Sequence, residues 1–441
     1  MQREGQAASI SRALLELAWP LAASNLIAIT IELIAAFWVS RIIGTGGLDV
    51  VTGARPLLFT LLFVFGSIHM GAGVGVARSI GAGTHEGMRI YVAAAGLVIA
   101  MWLVALAVLL PAMGWLEGAL RGGEQPRLAS YVVPWLVLSL PLVIFAHVSV
   151  DVASAARQTR LALTRTLIDL GAMCVLTPPL LHVFGVAGAA VASALSALIM
   201  TVFLVRTLLR RRTAWGLGEL AGARRSMVRA WREILGVGFP VQAARASTFA
   251  AQAFMVGALA VDGMPARTGY ATSVMLMVVG AVISNSLAQS GAILVAQAAG
   301  ARDAARVRAT FIATLRMGLA IGAATASAFF LGGRWFLRIF TDEPAVLERG
   351  AHAITIMSIG LFAMATWQVL IASMAALKVS KRAGLVGVLC ELLGVVVVLA
   401  WDVTPRLDAV CAAFLVSNFA RAIVLGALFP SVLRGATVSP V

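Results

Sequence analysis

Residues 90–111 read IYVAAAGLVIAMWLVALAVLLP, a run without a single charged side chain. A helix needs about 20 apolar residues to cross the hydrocarbon core of a membrane, so this run is long enough to span one. The alternating segments of a membrane β-barrel are only about 10 residues long, which makes a strand a poor explanation. The run therefore predicts a transmembrane α-helix.

Eleven more apolar runs, each bounded by charged or turn residues, flank this one. The chain of 441 residues is 61% apolar and 12% charged, whereas soluble domains are about 45–50% apolar and about 25% charged. So few charges cannot coat a water-facing surface, which excludes a soluble enzyme, a disordered chain or a disulfide scaffold. We predict an all-α polytopic membrane protein whose twelve transmembrane helices lie at about 13–39, 51–77, 90–111, 131–150, 166–184, 187–205, 234–261, 269–298, 309–331, 350–372, 383–401 and 407–428.

The net charge of +15 comes from 34 basic and 19 acidic residues. Both chain ends and the even-numbered loops carry 22 of the basic residues, the odd-numbered loops carry 8, and Arg55, Arg245, Arg316 and Arg421 fall inside apolar runs. Cytoplasmic loops are enriched in Lys and Arg, so both termini are predicted on the cytoplasmic side of the cell inner membrane. The basic excess then indicates topology and contact with anionic lipids, not nucleic acid.

Short motifs recur at nearly one spacing along the chain. Residues 17–20 (LAWP) return as 237–240 (VGFP), 220 positions later, and residues 76–83 (VARSIGAG) return as 295–302 (VAQAAGAR), 219 positions later. A weaker echo of 185–190 (GVAGAA) follows at 409–413. Three matches in the same order indicate a duplication.

The duplication divides the chain into two six-helix lobes, residues 1–205 and 234–441, joined by a basic cytoplasmic linker at 206–233. An even number of spans per repeat makes both lobes enter the membrane in the same direction. Repeats of this kind are related by an axis along the membrane normal, and substrates bind between them.

Charges inside the membrane cost about 2.5–3.5 kcal/mol each on insertion scales, so they indicate function. Glu32 lies inside the first helix, and Asn25, seven residues earlier, shares its face. The 220-residue offset takes this pair to Gln252 and Arg245, and Gln242 extends the second polar stripe. We expect both stripes to face the space between the lobes, although Glu32 and Arg245 could instead form an ion pair that only ties the lobes together.

Further polar residues lie within the apolar runs. Arg55, Asn285 and Gln289 complete the set of candidate substrate or ion ligands. For the others we favour structural roles, because helix–helix hydrogen bonds use the same residue types. They are His69, Asp169, Trp367, Gln368 and Glu391. Arg165, just before helix 5, is four residues from Asp169, so these two could pair along the helix near a membrane interface.

Several kinds of chemistry lack their residues in this sequence. There is no P-loop, since neither lysine follows the required glycine pattern. Gly71, Gly73 and Gly75 lie in an apolar run, where small residues allow helices to approach closely. The five histidines are scattered and the three cysteines lack metal-ligand spacing. We therefore expect no enzyme, no metal and no cofactor.

With twelve spans, two repeats and these motifs, the chain resembles the multidrug and toxic compound extrusion (MATE) family. The resemblance rests on the two Pro motifs at 19–20 and 239–240, on 39–44 (VSRIIG), and on the motifs that open at 76, 185 and 295. Phe340, Thr341 and Asp342 before helix 10 also contribute. The family implies two six-helix bundles around a central cavity, and export of organic, often cationic, compounds driven by inward proton or sodium flow.

The chain departs from the family pattern at its ion site. Ala36 stands where the family usually has an aspartate in helix 1, and Glu32, one turn earlier, could replace it. Met173 and Thr177 stand near the family's Asn and Asp of helix 5. These departures put the usual cation site and the preference for cationic drugs in question.

Three functions follow as hypotheses. The first is a monomeric secondary antiporter that exports small organic compounds in exchange for H⁺ or Na⁺, with membrane lipids and its substrate as its partners. The second is an exporter or flippase of an anionic metabolite or lipid-linked precursor, bound through Arg55 and Arg245. The third, a membrane-embedded enzyme or sensor, lacks a catalytic cluster and a soluble domain.

Overall fold

Apolar runs of this length form helices because a helix satisfies its own backbone hydrogen bonds inside the membrane. A computed structural model describes residues 2–120, 129–218, 227–401 and 405–438 and contains no strand among them. Arg121 and Arg127, and residues 219–226 of the predicted linker, lie outside the described residues. The helices are α1 Gln2–Ile42, α2 Thr45–Ala82, α3 Gly87–Leu120, α4 Ala129–Pro134, α5 Leu140–Ala155, α6 Arg160–Phe184, α7 Ala187–Arg211, α8 Met227–Ala258, α9 Met264–Gly300, α10 Ala304–Leu337, α11 Pro344–Ala376, α12 Ser380–Ala400 and α13 Arg406–Val438.

The described residues contain twelve helical spans that are long and apolar enough to cross a membrane. The predicted all-α class and the number of spans are therefore confirmed. Helices α4 and α5 form one span, Ala129–Ala155, because a π-helical turn at Trp135–Ser139 joins them without a break. Large apolar side chains such as Val108 remain mostly exposed, as expected for helices that face lipid.

The chain divides into two compact units, which differ in extent from the predicted lobes. The N-terminal unit comprises Ala23–Phe239, and the C-terminal unit comprises Met1–Ala22 together with Pro240–Val441. The divisions thus fall within α1 and α8, beside Pro20 and Pro240. The predicted lobes instead separated the chain at the basic linker.

Packing explains why α8 is divided. Gly71 of α2 lies so close to α8 that an added Cβ would be 2.9 Å from the Cα of Ile234. One turn further along α8, a Cβ on Gly238 would be 2.9 Å from the Cα of Ser67. Small residues on both helices therefore let the first part of α8 pack tightly within the N-terminal unit.

The first part of α1 packs in the matching way within the C-terminal unit. Leu14, Leu17 and Ala18 are buried in one cluster with Leu287 and Leu294 of α9. The 220-residue offset takes Leu14 and Ala18 to the α8 positions that pack against α2. Each unit therefore contains the start of the other repeat's first helix, which is what a duplicated chain with matching contacts predicts.

Candidate functional site: polar groups within the two units

Glu32 has a charged neighbour in its own unit. Its side chain is exposed on α1, and Arg55 of α2 is close enough for its charge to act on it. The charges of both act on Tyr131 at the start of α4. An exposed carboxylate within a membrane span, faced by an arginine, can bind a cation or exchange a proton while the arginine balances its charge.

Asn25 lies two turns before Glu32 on α1. It is half-buried, and the preceding residue, Ser24, hydrogen-bonds the hydroxyl of Thr166 at 2.6 Å. These contacts fix α1 against α6 within the N-terminal unit. Asn25 and Glu32 keep the shared helical face that the sequence predicted, seven residues apart.

The positions of the family's helix-5 ligands are apolar or isolated in this chain. Met173 is buried in a cluster with Ile31 and Ala192. Thr177 is fully buried, and its hydroxyl has no hydrogen-bond partner. A thioether and a single hydroxyl are poor ligands for a hard cation such as Na⁺, so this region does not rebuild the cation site that the resemblance implies.

Arg245 in the C-terminal unit contacts a neutral amide. Its Nη2 donates a hydrogen bond of 2.9 Å to Oδ1 of Asn285, which joins α8 to α9. Both side chains are half-buried, as are Gln252 and Gln289. Arg245 and Asn285 thus place a guanidinium and an amide side by side between α8 and α9.

Gln242 is the most buried of the predicted ligands. It is only 4% exposed, and its Oε1 atom has no hydrogen-bond partner. Helix α12 approaches α8 on another side, where a Cβ on Gly387 would be 2.5 Å from the Cβ of Ala244. At about 100° per residue, Gln242 and Arg245 lie on the face of α8 that is turned away from that contact.

Several residues for which we favoured structural roles form a network in the N-terminal unit. His69 Nδ1 lies 2.6 Å from Asp151 Oδ2, and the rings of His69 and His147 are 5.5 Å apart. Arg165 Nη2 lies 3.5 Å from His147 Nε2. Asp151 was not among the predicted site residues, because nothing in its own helix indicates that His69 lies opposite.

Asp169 is also part of this region, but its hydrogen-bond partner differs from the expected one. The spacing of Arg165 and Asp169 favoured a pair along one helix. Instead, Asp169 Oδ1 accepts a hydrogen bond of 2.6 Å from the hydroxyl of Ser196 on α7. The charge of Asp169 still acts on Arg165.

A second buried network lies in the C-terminal unit. Arg421 donates a hydrogen bond to Glu391, and the side chains are 1% and 6% exposed. The guanidinium carbon lies 4.8 Å from the ring centroid of Trp367. Trp367 Nε1 in turn donates to Asn418 Oδ1 at 2.8 Å. These partners all lie within the unit, which supports the structural role favoured for Trp367 and Glu391.

Comparisons with solved structures show the same fold over nearly the whole chain. An outward-facing multidrug resistance transporter of the MATE family and MOP superfamily superposes with a TM-score of 0.88 at 20% identity, covering 98% of this chain and 97% of that one. The Vibrio cholerae MATE transporter VcmN in its bent form gives 0.85 at 15% identity, covering 98% and 99%.

A third structure has the same fold and a different reported pocket. It is a MOP superfamily transporter from Pyrococcus furiosus, for which reverse polarity of the binding pocket suggests a different function. It superposes with a TM-score of 0.87 at 17% identity, covering 98% of this chain and 97% of that one. A comparison with curated protein sequences found no match.

The family comparison is direct. The sequence model of the MatE family matches residues 20–179 and 215–400, which is well over half of the chain. This match confirms the resemblance drawn from the motifs. The chain therefore belongs to the MATE family, whose members are multipass membrane transporters and not enzymes.

Proposed function

We propose that this protein is a secondary antiporter of the inner membrane that exports small organic compounds by alternating access, in exchange for entering protons or sodium ions. Its family supports the export role. The observation that carries the finer proposal is Glu32, an exposed carboxylate within a membrane span whose charge is opposed by Arg55. Both termini lie in the cytoplasm, because Lys and Arg are concentrated in the corresponding loops.

The Glu32–Arg55 pair suggests how ion and cargo compete. With Glu32 ionised, the two charges cancel and a cationic group can approach the carboxylate. When a proton or Na⁺ occupies Glu32, the charge of Arg55 is no longer offset and repels a cationic cargo. Binding of the coupling ion therefore favours release of the substrate, as exchange between two conformations requires.

The test is export by purified protein in proteoliposomes with an imposed pH or sodium gradient. We expect Glu32→Gln to lower gradient-driven export by about tenfold or more, equivalent to about 1.4 kcal/mol of lost coupling. Glu16→Gln is the matched control, because Glu16 lies on the same helix, is exposed and pairs with Arg12 one turn away. Full gradient-driven export by Glu32→Gln would contradict the role assigned to Glu32.

An anionic cargo is the second candidate function. Arg245 is half-buried within a membrane span, and a guanidinium at this depth attracts an anionic group. The reverse pocket polarity reported for the Pyrococcus furiosus transporter of the same fold supports this candidate. The cargo would then be an anionic metabolite or the head group of a lipid-linked precursor.

Charge reversal separates the two candidates. If the cargo is anionic, Arg245→Glu should abolish its transport, whereas a cationic cargo should still be transported. Arg316→Glu is the matched control, because Arg316 lies in a membrane span of the same unit and is exposed. Equal loss of transport in both variants would indicate a general effect of added acid in the membrane.

We further propose that the protein works as a monomer surrounded by membrane lipids and needs no cofactor beyond the coupling ion. It does not bind nucleic acid, because its basic residues lie mainly in loops that set topology and contact anionic lipid. Size-exclusion chromatography with light scattering in detergent would test the monomer.

A further inference from the structure

The polar network around His69 has no role in the function proposed above. It joins three helices of the N-terminal unit: α2 supplies His69, α5 supplies His147 and Asp151, and α6 supplies Arg165. His69 lies near the middle of the span Leu57–Ala82. Titratable groups at this depth are costly and mark ion or proton pathways in membrane proteins.

The hydrogen bonds determine where the protons are. Arginine has no acceptor atom, so Arg165 must donate and Nε2 of His147 must accept with its lone pair. His147 is therefore neutral and carries its proton on Nδ1. Nδ1 of His69 lies 2.6 Å from the carboxylate of Asp151 and donates to it, which leaves Nε2 of His69 as the basic atom of the network.

The charges of the network do not balance while both histidines are neutral. Asp151 and Asp169 carry two negative charges, and Arg165, on which both act, carries one positive charge. One negative charge is thus left within the span. One proton on His69 would cancel it, and the side chains of His69 and Asp151 are only partly buried, at 23% and 32% exposed.

We propose that His69 and Asp151 form a proton-binding site of the N-terminal unit. When the site binds a proton, Nε2 of His69 takes the proton from a hydronium ion, and the hydronium becomes water. The imidazolium then donates its Nδ1 proton to ionised Asp151. The inference rests on the proposed antiport, for which it names the proton as coupling ion and a second site besides Glu32.

The site is distinct from the Glu32 region. Arg55 and His69 lie on the same helix, fourteen residues apart, which corresponds to about 21 Å along the axis at about 1.5 Å per residue. The other elements packed around the pair contribute few titratable groups. They are Tyr91 of α3, which hydrogen-bonds Ser149 of α5 at 2.9 Å, Asp169 of α6, which is held by Ser196 of α7, and Glu233 of α8, whose charge acts on Arg78.

Gly73 allows α2 and α5 to come close enough for His69 to contact Asp151. Gly73 lies one turn after His69 on α2, and an added Cβ there would be 3.3 Å from the Cβ of Asp151. That spacing is tighter than ordinary contact, so a larger residue would push α5 away and lengthen the hydrogen bond.

The direct test is a pH titration of the full chain labelled with ¹³C-histidine in lipid nanodiscs. The five histidines are assigned by single replacements, and His69 is followed between about pH 5 and about pH 9. We expect His69 to titrate, and Asp151→Asn to lower its proton affinity by about tenfold or more. A His69 that stays in one state, or an unchanged midpoint in Asp151→Asn, would overturn the proposal.

Transport distinguishes a coupling site from a structural pair. His69→Gln should retain its thermal stability while export becomes independent of the pH gradient, and Gly73→Ala should weaken that dependence if His69→Gln does not fold. Asp408→Asn is the matched control, because Asp408 and His352 form an exposed pair of the same length, 2.6 Å, in the other unit. Unaltered pH dependence in His69→Gln would overturn the site's role in coupling.

The two proposals fail in different ways. If the unmodified protein exports no compound under either gradient, the antiporter proposal fails, and the histidine titration still decides whether the site binds a proton. If export proceeds under a sodium gradient alone and His69 does not titrate, the antiporter stands and the proton site is refuted.

Discussion

Removing the carboxylate of Glu391 should lower the stability of the C-terminal unit more than removing any other acidic side chain of that unit. Arg421 is 1% exposed and is the largest fully buried side chain among the described residues. Its charge is met by Glu391 and by the face of Trp367 at 4.8 Å. Neutralising Glu391 leaves a buried guanidinium with the aromatic ring as its main compensation.

The magnitude follows from the two contacts. Breaking a buried pair from one side costs about 3–5 kcal/mol, because a charge is left uncompensated. The cation–π contact with Trp367 is worth up to about 2 kcal/mol when desolvated and survives the change. We therefore expect Glu391→Leu to cost about 3 kcal/mol. In Glu391→Leu/Arg421→Met both charges are gone, and the double variant should be at least about 2 kcal/mol more stable than the sum of the single effects predicts.

The assay is reversible unfolding in mixed micelles titrated with SDS, with the double-mutant cycle completed by Arg421→Met. Glu16→Leu is the control, because its pair with Arg12 is exposed and such pairs contribute about 0–1 kcal/mol. If Glu391→Leu costs no more than Glu16→Leu, or if the single effects simply add, the reasoning from buried charge is refuted.

Three further changes test the packing of the helices. Gly71→Ala should cost about 1–3 kcal/mol, because its Cβ would meet the main chain of Ile234, whereas Gly236→Ala, with nothing within 4 Å, should be neutral or stabilising in the same unfolding assay. Leu14→Ala should lower the free energy of unfolding by about 2–5 kcal/mol, because it leaves a cavity at a fully buried position against α9. A smaller loss than that of Leu15→Ala, at an exposed leucine of the same helix, would argue against this packing. Asp303→Ala should cost about 1 kcal/mol by removing the side-chain cap at the start of α10, visible as faster hydrogen exchange in its first turn.

The number and type of the helices could be predicted from the sequence because the membrane requires long apolar helices whatever their neighbours are. Even the packing role of Gly71, Gly73 and Gly75 followed from their setting, and the structure places them against Ile234, Asp151 and Ile90. Such helices are apolar on all sides, so the pattern does not show which face meets which neighbour. For that reason the partner of Asp169 was predicted on its own helix and lies on α7 instead.

The division of α1 and α8 between units shows the same limit. Pro20 and Pro240 were visible as markers of the repeat, and a proline interrupts a helix by removing one hydrogen bond. The start of α1 belongs to the C-terminal unit because Leu14 packs against α9. The start of α8 belongs to the N-terminal unit because Gly238 packs against α2. Those contacts join residues more than 170 positions apart, and no local pattern specifies them.

The duplication also bears on how the two proposals divide the work of transport. The 220-residue offset of the first helices takes Glu32 to Gln252, so a titratable group of the first repeat has a glutamine as its counterpart in the second. Glutamine keeps the hydrogen-bonding capacity but cannot exchange a proton at physiological pH. At the same offset the neutral Asn25 corresponds to the cationic Arg245. If the repeats began alike, the first helix of the N-terminal repeat has kept a group that can exchange a proton, while the equivalent helix of the C-terminal repeat carries a fixed positive charge.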